Sequence, residues 1–212
     1  MQQKGPAAIY RESFREVRAR LGGKTRDPGD RVVLERVVHA TADVALGMSL
    51  RFRAGAVERA VAALRRGAAI VVDSRMVAAG LLREYLGPAR VVMGLDAPGV
   101  GAEAERRGVT RSRVAMEWAV QREPDGALFV VGNAPTALEA LVDALEAGRV
   151  RPAAVVGLPV GFVGAAAAKE RLWALESVPV ITNRGPRGGS AAAAAAANAL
   201  LLLAAGAVGD DR

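Results

Sequence analysis

Residues 155–190 read VVGLPVGFVGAAAAKERLWALESVPVITNRGPRGGS, and their pattern decides the fold. Two short apolar runs each break into glycine, proline and polar residues, and each break leads into an alanine-rich stretch of helical character. Strand, glycine-rich turn and helix in repetition make up the unit of an open, mostly parallel sheet. Glycine lets a backbone approach a ligand closely, and exposed N–H groups at a helix start attract anionic groups. The stretch therefore reads as an anion-binding rim.

Similar apolar runs occur upstream at AAIVVDS (68–74), RVVMGLD (90–96) and ALFVVGN (127–133), and within the stretch itself at AAVVGLP (153–159) and VPVITN (178–183). They make five candidate strands. Between them lie helical segments at 76–86, 102–123, 135–148 and 164–175, so strand and helix alternate. The fold expected is α/β: a mostly parallel sheet of about five strands with helices on both faces. Strand carboxyl ends then share one edge, which presents Asp73-Ser74, Asp96, 132–136, 159–164 and 183–185 to a ligand.

Upstream of the sheet the chain is helical. Tyr10, Phe14, Val17 and Leu21 fall at helical spacing before Gly22-Gly23. Asp27 as N-cap and Pro28 at the first helical position open a second helix, which carries His39 and is expected to end near Gly47. With 212 residues, 51% of them hydrophobic, one domain spanning 1–212 is expected. Its parts are a helical region, 1–50, and a frayed tail, 206–212.

Composition narrows the partners. A formal charge of +7 favours a polyanion: nucleic acid, an anionic membrane or a multi-carboxylate small molecule. Only 4% of residues are aromatic and no dense Lys/Arg run occurs, which argues against nucleic acid. The apolar stretch 191–208 is mostly alanine and contains Asn198 and Gly206, so it reads as a buried helix and not a membrane span. There is no cysteine, hence no disulfide framework or thiolate metal site, and a single histidine cannot build a metal centre with its own kind. The start, MQQKGPAAIYRESF, lacks the apolar core of a signal peptide, so a cytoplasmic setting is expected.

His39 is the one side chain whose ordinary pKa suits proton transfer near neutrality. Its place in the apolar run VVHAT fits a core histidine satisfied by a backbone carbonyl slightly better than it fits a general acid. Gly157, Gly161 and Gly164 have the spacing G-x-x-x-G-x-x-G, which is not the dinucleotide fingerprint, and no P-loop tripeptide occurs. Arg111, Arg184 and Arg187 are candidate anion anchors, the last two because they bracket glycines just before a helix starting near Ser190. Ser190 could cap that helix or leave its N–H groups to a carboxylate.

Taken together, several stretches resemble the precorrin-8X methylmutase family of corrin biosynthesis, whose members in the cobalt-dependent pathway are cobalt-precorrin-8 methylmutases. The similar residues are Ile9 to Phe14, Arg36 to Ala40, Asp73 to Val77, Thr110-Arg111-Ser112, and three long runs at 132–145, 151–172 and 178–200. The resemblance implies an isomerase that moves a methyl group from carbon 11 to carbon 12 of precorrin-8X or cobalt-precorrin-8, giving hydrogenobyrinate or cobyrinate. It needs no cofactor, since any cobalt belongs to the substrate. His39 matches the family's general acid, and Ser13 and Arg111 match residues near the bound macrocycle. Asn133, Gly161, Arg184, Arg187, Gly188, Gly189 and Ser190 complete the expected contacts to a polycarboxylate corrin, with Leu158, Val160, Phe162 and Val163 lining an apolar slot. The resemblance also implies a homodimer with the site near the subunit interface. Two departures stand out: Thr41-Ala42 where the family usually has cysteine-glycine, and Arg75 at a place that is often acidic. A non-catalytic corrinoid carrier would keep the pocket without turnover, and a nicotinamide or flavin oxidoreductase would require the nucleotide fingerprint that is missing.

Overall fold

The computed structural model describes residues 5–23 and 27–208, so the last four positions of the expected frayed tail lie outside the described residues. A six-stranded sheet forms the centre, in the order β1-β6-β5-β4-β2-β3. Its parallel members are β2 (Ala69–Val72), β3 (Arg90–Met93), β4 (Leu128–Val131), β5 (Ala154–Gly157) and β6 (Val180–Asn183), which are the five runs read from the sequence. The count of five is corrected to six by β1 (Leu50–Phe52), which pairs antiparallel with β6 through Leu50 opposite Asn183 and Phe52 opposite Ile181. Three residues are too few to show a period, which is why this edge strand carries no sequence signal.

Every residue of β2, β4, β5 and β6 is buried, and successive residues point to opposite faces. On one face Ile70, Val72, Leu128, Val130, Val156 and Ile181 share a core with α4 (Ala56–Arg65) and α10 (Ser190–Ala204), and α2 (Pro28–Thr41) packs behind α10. On the other, Val71, Phe129, Val131, Val155 and Val180 meet α7 (Arg111–Arg122), α8 (Pro135–Glu146) and α9 (Ala165–Ala174). Helices on both faces were expected, and both are present.

The alanines of α10 have a packing reason. This helix lies between the sheet and α2, with Ala192, Ala193, Ala196, Ala197 and Ala199 fully buried, and small side chains let three layers approach closely. A Cβ on Gly132 would come within 2.6 Å of the Ala193 methyl, so the end of β4 touches α10 directly. Among the described residues no helix is long and apolar enough to cross a membrane.

Three expected helices are interrupted. The His39 helix stops at Thr41 and not near Gly47: Ala42 turns left-handed at φ 52°, and Asp43 caps a separate short helix α3 (Val44–Ser49) by accepting from the Leu46 N–H at 2.8 Å. Gly47 does not end a helix but permits a contact, since a Cβ there would meet Val38 Cγ2 at 2.3 Å as α3 folds back on α2. The segment 76–86 divides into α5 (Arg75–Ala79) and a single 3₁₀ turn at Arg83–Tyr85. Asn198, half-buried on α10, bridges that gap by accepting from Leu82 N–H at 2.9 Å and donating to Gly80 O at 2.8 Å. The segment 102–123 divides into α6 (Val100–Arg107) and α7, because Gly108 turns left-handed and Thr110 caps the second helix.

Candidate active site

The carboxyl ends of the five parallel strands share one edge, as expected. The connection after β2 runs outward to β3, whereas the one after β4 runs the other way to β5, so the switch point of the sheet falls between β2 and β4. A ligand commonly occupies such a crevice. Here Asp73 fills it: its carboxylate accepts from the N–H groups of Gly132, Asn133 and Ala134 at 3.0, 2.8 and 2.7 Å. Burial holds its pKa above the usual carboxylate value, against the pull of those three donors. The anion slot at the start of α8 is therefore taken by the protein's own carboxylate, and the exposed Asn133 borders the rim beside it.

Farther along the edge the two glycine-rich turns interlock. Gly189 N–H donates to Leu158 O at 2.8 Å, and Gly161 N–H donates to Pro186 O at 3.1 Å. Gly188, at φ 151°, lies so close that a Cβ would stand 2.2 Å from Leu158 O. Only glycine fits such an approach. Gly189 and not Ser190 takes the N-cap position of α10 and makes no side-chain cap bond, so the first-turn N–H groups of this helix remain uncapped by a side chain. The Ser190 hydroxyl turns instead to the Ser74 hydroxyl, 3.3 Å away and buried.

Arg111 opens α7 as an exposed residue, and its neighbour Thr110 pairs with Thr136 at 2.6 Å, which holds this helix start beside that of α8. Arg184 is exposed at the end of β6. The expected apolar slot is partly corrected: Leu158 is fully buried beneath the rim, while Val160, Val163 and Phe162 are exposed, Phe162 completely. A residue that packs the sheet cannot also line a slot.

His39 sits on the last turn of α2, half-buried, against α1 (Pro6–Leu21). Its ring stacks on Phe14 at 4.5 Å between centroids and meets Tyr10 edge-on at 5.4 Å. Ser13 Oγ lies 2.9 Å from Nδ1, the one hydrogen bond of the ring among the described residues. That contact fixes the ring's orientation and leaves Nε2 for a ligand. Burial, and after it the positive charge of Arg36, holds the His39 pKa below its ordinary value. Beside the ring opens a cavity of about 260 Å³, lined by Ser13, Val17, Val38, Ala42 and Val44 among others. The family resemblance paired Ser13 with the site, and the spacing of residues 13 and 39 alone carried no such signal.

A contact the sequence did not reveal joins this corner to the rim. Arg187 forms an ion pair with Asp43, the cap of α3, at 2.7 Å. Its guanidinium thus bridges the 184–189 turn and the helix corner four residues past His39. Arg75, the departure from the family pattern, pairs with Asp96 at 2.5 Å across the ends of β2 and β3.

A glycine-lined, cationic strand edge with one oriented imidazole nearby defines a class, that of α/β enzymes acting on an anionic organic ligand. The particular member of that class follows from comparison with known proteins. The model of the precorrin-8X methylmutase family matches residues 8–203, and the chain belongs to that family. A precorrin-8X methylmutase of Pseudomonas aeruginosa is 49% identical over 188 residues, covering 86% of this chain and 88% of the relative. A cobalt-precorrin-8 methylmutase of Priestia megaterium is 37% identical, covering 87% and 82%. The crystal structure of a precorrin-8X methylmutase from Thermus thermophilus superposes with a TM-score of 0.84 at 42% identity, covering 94% of this chain and 98% of that one. The protein is accordingly an isomerase of the methylmutase type, with a place in cobalamin biosynthesis.

Proposed function

We propose that the protein converts precorrin-8X or cobalt-precorrin-8 to hydrogenobyrinate or cobyrinate, with His39 as general acid. The observation that carries the acid role is the Ser13 contact to Nδ1 at 2.9 Å, together with the ring's stacking on Phe14. Both hold the ring in place and leave Nε2 without a protein hydrogen bond among the described residues, which supports its role toward a bound macrocycle. Proton donation from Nε2 to the ring C nitrogen draws electron density through the conjugated system. The bond from carbon 11 to the methyl group breaks as the bond to carbon 12 forms, and the proton returns to His39. No atom or electron is gained or lost, so no redox cofactor is required, and any cobalt travels with the substrate.

Charge couples binding to this step. With its pKa held low, His39 is mostly neutral in the free protein at pH 7. The carboxylates of an arriving corrin raise that pKa and draw a proton onto the ring. Arg111, Arg184 and the uncapped start of α10 receive the carboxylates, while Val160, Phe162 and Val163 offer an apolar surface to the ring face. The full exposure of Phe162 and the 70% exposure of Met76 also support a homodimer in which a second copy covers this edge. Sedimentation that finds only monomer at micromolar concentration would remove the dimer. Cysteine-free composition suits a cytoplasmic setting.

Turnover of purified protein with precorrin-8X, followed by the appearance of the corrin chromophore, tests the activity. His39→Ala is expected to lower kcat by about 10²–10⁴-fold while corrin product still binds within a few fold of wild type. Product binding without any wild-type turnover would instead identify a carrier, and full activity in His39→Ala would refute the acid role.

A further inference from the structure

Beneath the rim lies a charged group that the reaction as proposed does not use. Lys169 is fully buried on α9. Its Nζ donates to Asn183 Oδ1 at 3.0 Å and to Arg187 O at 2.7 Å. Asn183, also fully buried, passes the connection on, donating from Nδ2 to Arg184 O at 3.0 Å and to the same Arg187 O at 2.9 Å. One ammonium and one amide thus gather the carbonyls of the turn that ends β6. Beyond that turn come Gly188, Gly189 and the start of α10, and the Arg187 side chain leads on to Asp43.

What is unusual is the lack of a counter-charge. Among the described residues Lys169 takes part in no salt bridge, although burying an unpaired cation costs several kcal/mol. The nearest acidic side chain on its own helix, Glu170, is held by Arg51 through two hydrogen bonds of 3.0 and 2.6 Å. On α8, Glu139 lies against Gly164, and Asp143 and Glu146 are taken by Arg171. Arg51 on β1 is the cation that faces Lys169, while Asn183 on β6 and the Arg187 carbonyl present neutral acceptors. Asp43 is engaged by the Arg187 guanidinium. Among the described residues no carboxylate therefore pairs directly with the ammonium under the rim, and Glu170 acts on it only from beyond ion-pair distance.

We propose that Lys169 is a positioning residue: its ammonium holds the 184–189 turn in the shape that receives the substrate's carboxylates, and its unpaired charge is completed by them. This rests on the corrin reading of the rim. Burial, with the charge of Arg51 added, pulls the Lys169 pKa from 10.5 to about 8, while Glu170 opposes the shift. The charge is consequently present at pH 7 and mostly gone at pH 9. Over that range corrin carboxylates stay ionised and arginines stay charged, and His39→Ala removes the proton that ligand binding draws onto the imidazole.

The test is equilibrium titration of corrin product at pH 7 and pH 9 on His39→Ala and on His39→Ala/Lys169→Met, with steady-state kinetics at pH 7 on wild type and Lys169→Met. His39→Ala should bind product about fivefold or more weakly at pH 9. His39→Ala/Lys169→Met should bind weakly at both pH values, without the pH difference, Lys169→Met should raise KM with kcat within about threefold, and the amides of Gly188 and Gly189 should exchange hydrogen faster in free Lys169→Met. Equal affinity of His39→Ala at the two pH values overturns the proposal, and that measurement needs no substitution at Lys169. So does a folded Lys169→Met whose KM and amide exchange match wild type. Absence of wild-type turnover on either substrate would count against the proposed function, and amide exchange in the free variant still reports on Lys169 in that case.

Discussion

Replacing Gly188 by alanine puts the geometry of the rim to a quantitative test. The new Cβ would stand 2.2 Å from Leu158 O, 2.9 Å from Leu158 C and 2.9 Å from Pro159 O, all of them backbone atoms. None can rotate away, so the two turns must separate by about 0.8 Å to restore even a 3.0 Å contact. That displacement strains the Gly189 to Leu158 hydrogen bond, now 2.8 Å. Overpacking of this kind costs about 1–3 kcal/mol. The backbone at φ 151° adds about 1–3 kcal/mol for a residue with a Cβ, so about 2–6 kcal/mol is expected in total. Gly185 is the internal control: at φ 79° with nothing within 4 Å of a Cβ, Gly185→Ala pays the left-handed penalty alone, about 1–2 kcal/mol. Urea unfolding gives both values, and titration with corrin product gives the second readout. Gly188→Ala should weaken product binding about tenfold or more, because the start of α10 moves with Gly188, and Gly185→Ala should not. Equal destabilisation by the two substitutions, or unchanged product affinity in Gly188→Ala, would refute the reasoning.

Two further outcomes follow from single positions. Asp73→Ala leaves three backbone N–H groups without their acceptor and should cost about 3 kcal/mol or more in urea unfolding. Because burial raises the Asp73 pKa above 3.8, its contribution to stability is full below that value and declines as pH rises through the raised one. The difference between wild type and Asp73→Ala should therefore shrink with rising pH, and a difference that grows would show the sign to be wrong. Ala42→Gly should stabilise the protein by about 0.5–1 kcal/mol, because Ala42 is the one non-glycine residue with positive φ among those described. A lower melting temperature in Ala42→Gly would contradict that assignment of strain.

Local pattern determined a good deal of this protein. Four-residue runs such as Ile70 and its neighbours, or Leu128 to Val131, are buried on both faces, and a strand covered on both sides must be apolar throughout, so its sequence announces it. Asp27 and Pro28 opened α2 as read, since capping is a matter of three or four adjacent residues. Glycines at the ends of β5 and β6 marked the rim for the same reason. Gly47 misled because a glycine that ends a helix and a glycine that admits the Val38 side chain look alike until the second helix is in place.

Tertiary structure alone decided the contacts that join distant parts of the chain. Asp73 reaches the N–H groups of residues 132–134, Asn198 closes the gap between Gly80 and Leu82, and Arg187 crosses to Asp43. Nothing in the run AAAAKERL marks its lysine, and Lys169 is fully buried because α9 turns that position toward Asn183 and the Arg187 carbonyl. Such pairings depend on where the sheet order places each strand end, and partners separated by 14 to 144 residues leave no local trace of them. Sequence thus determined the elements and the chemical character of the rim. Packing decided which side chains serve it, because burial and charge compensation depend on every element that closes around a group.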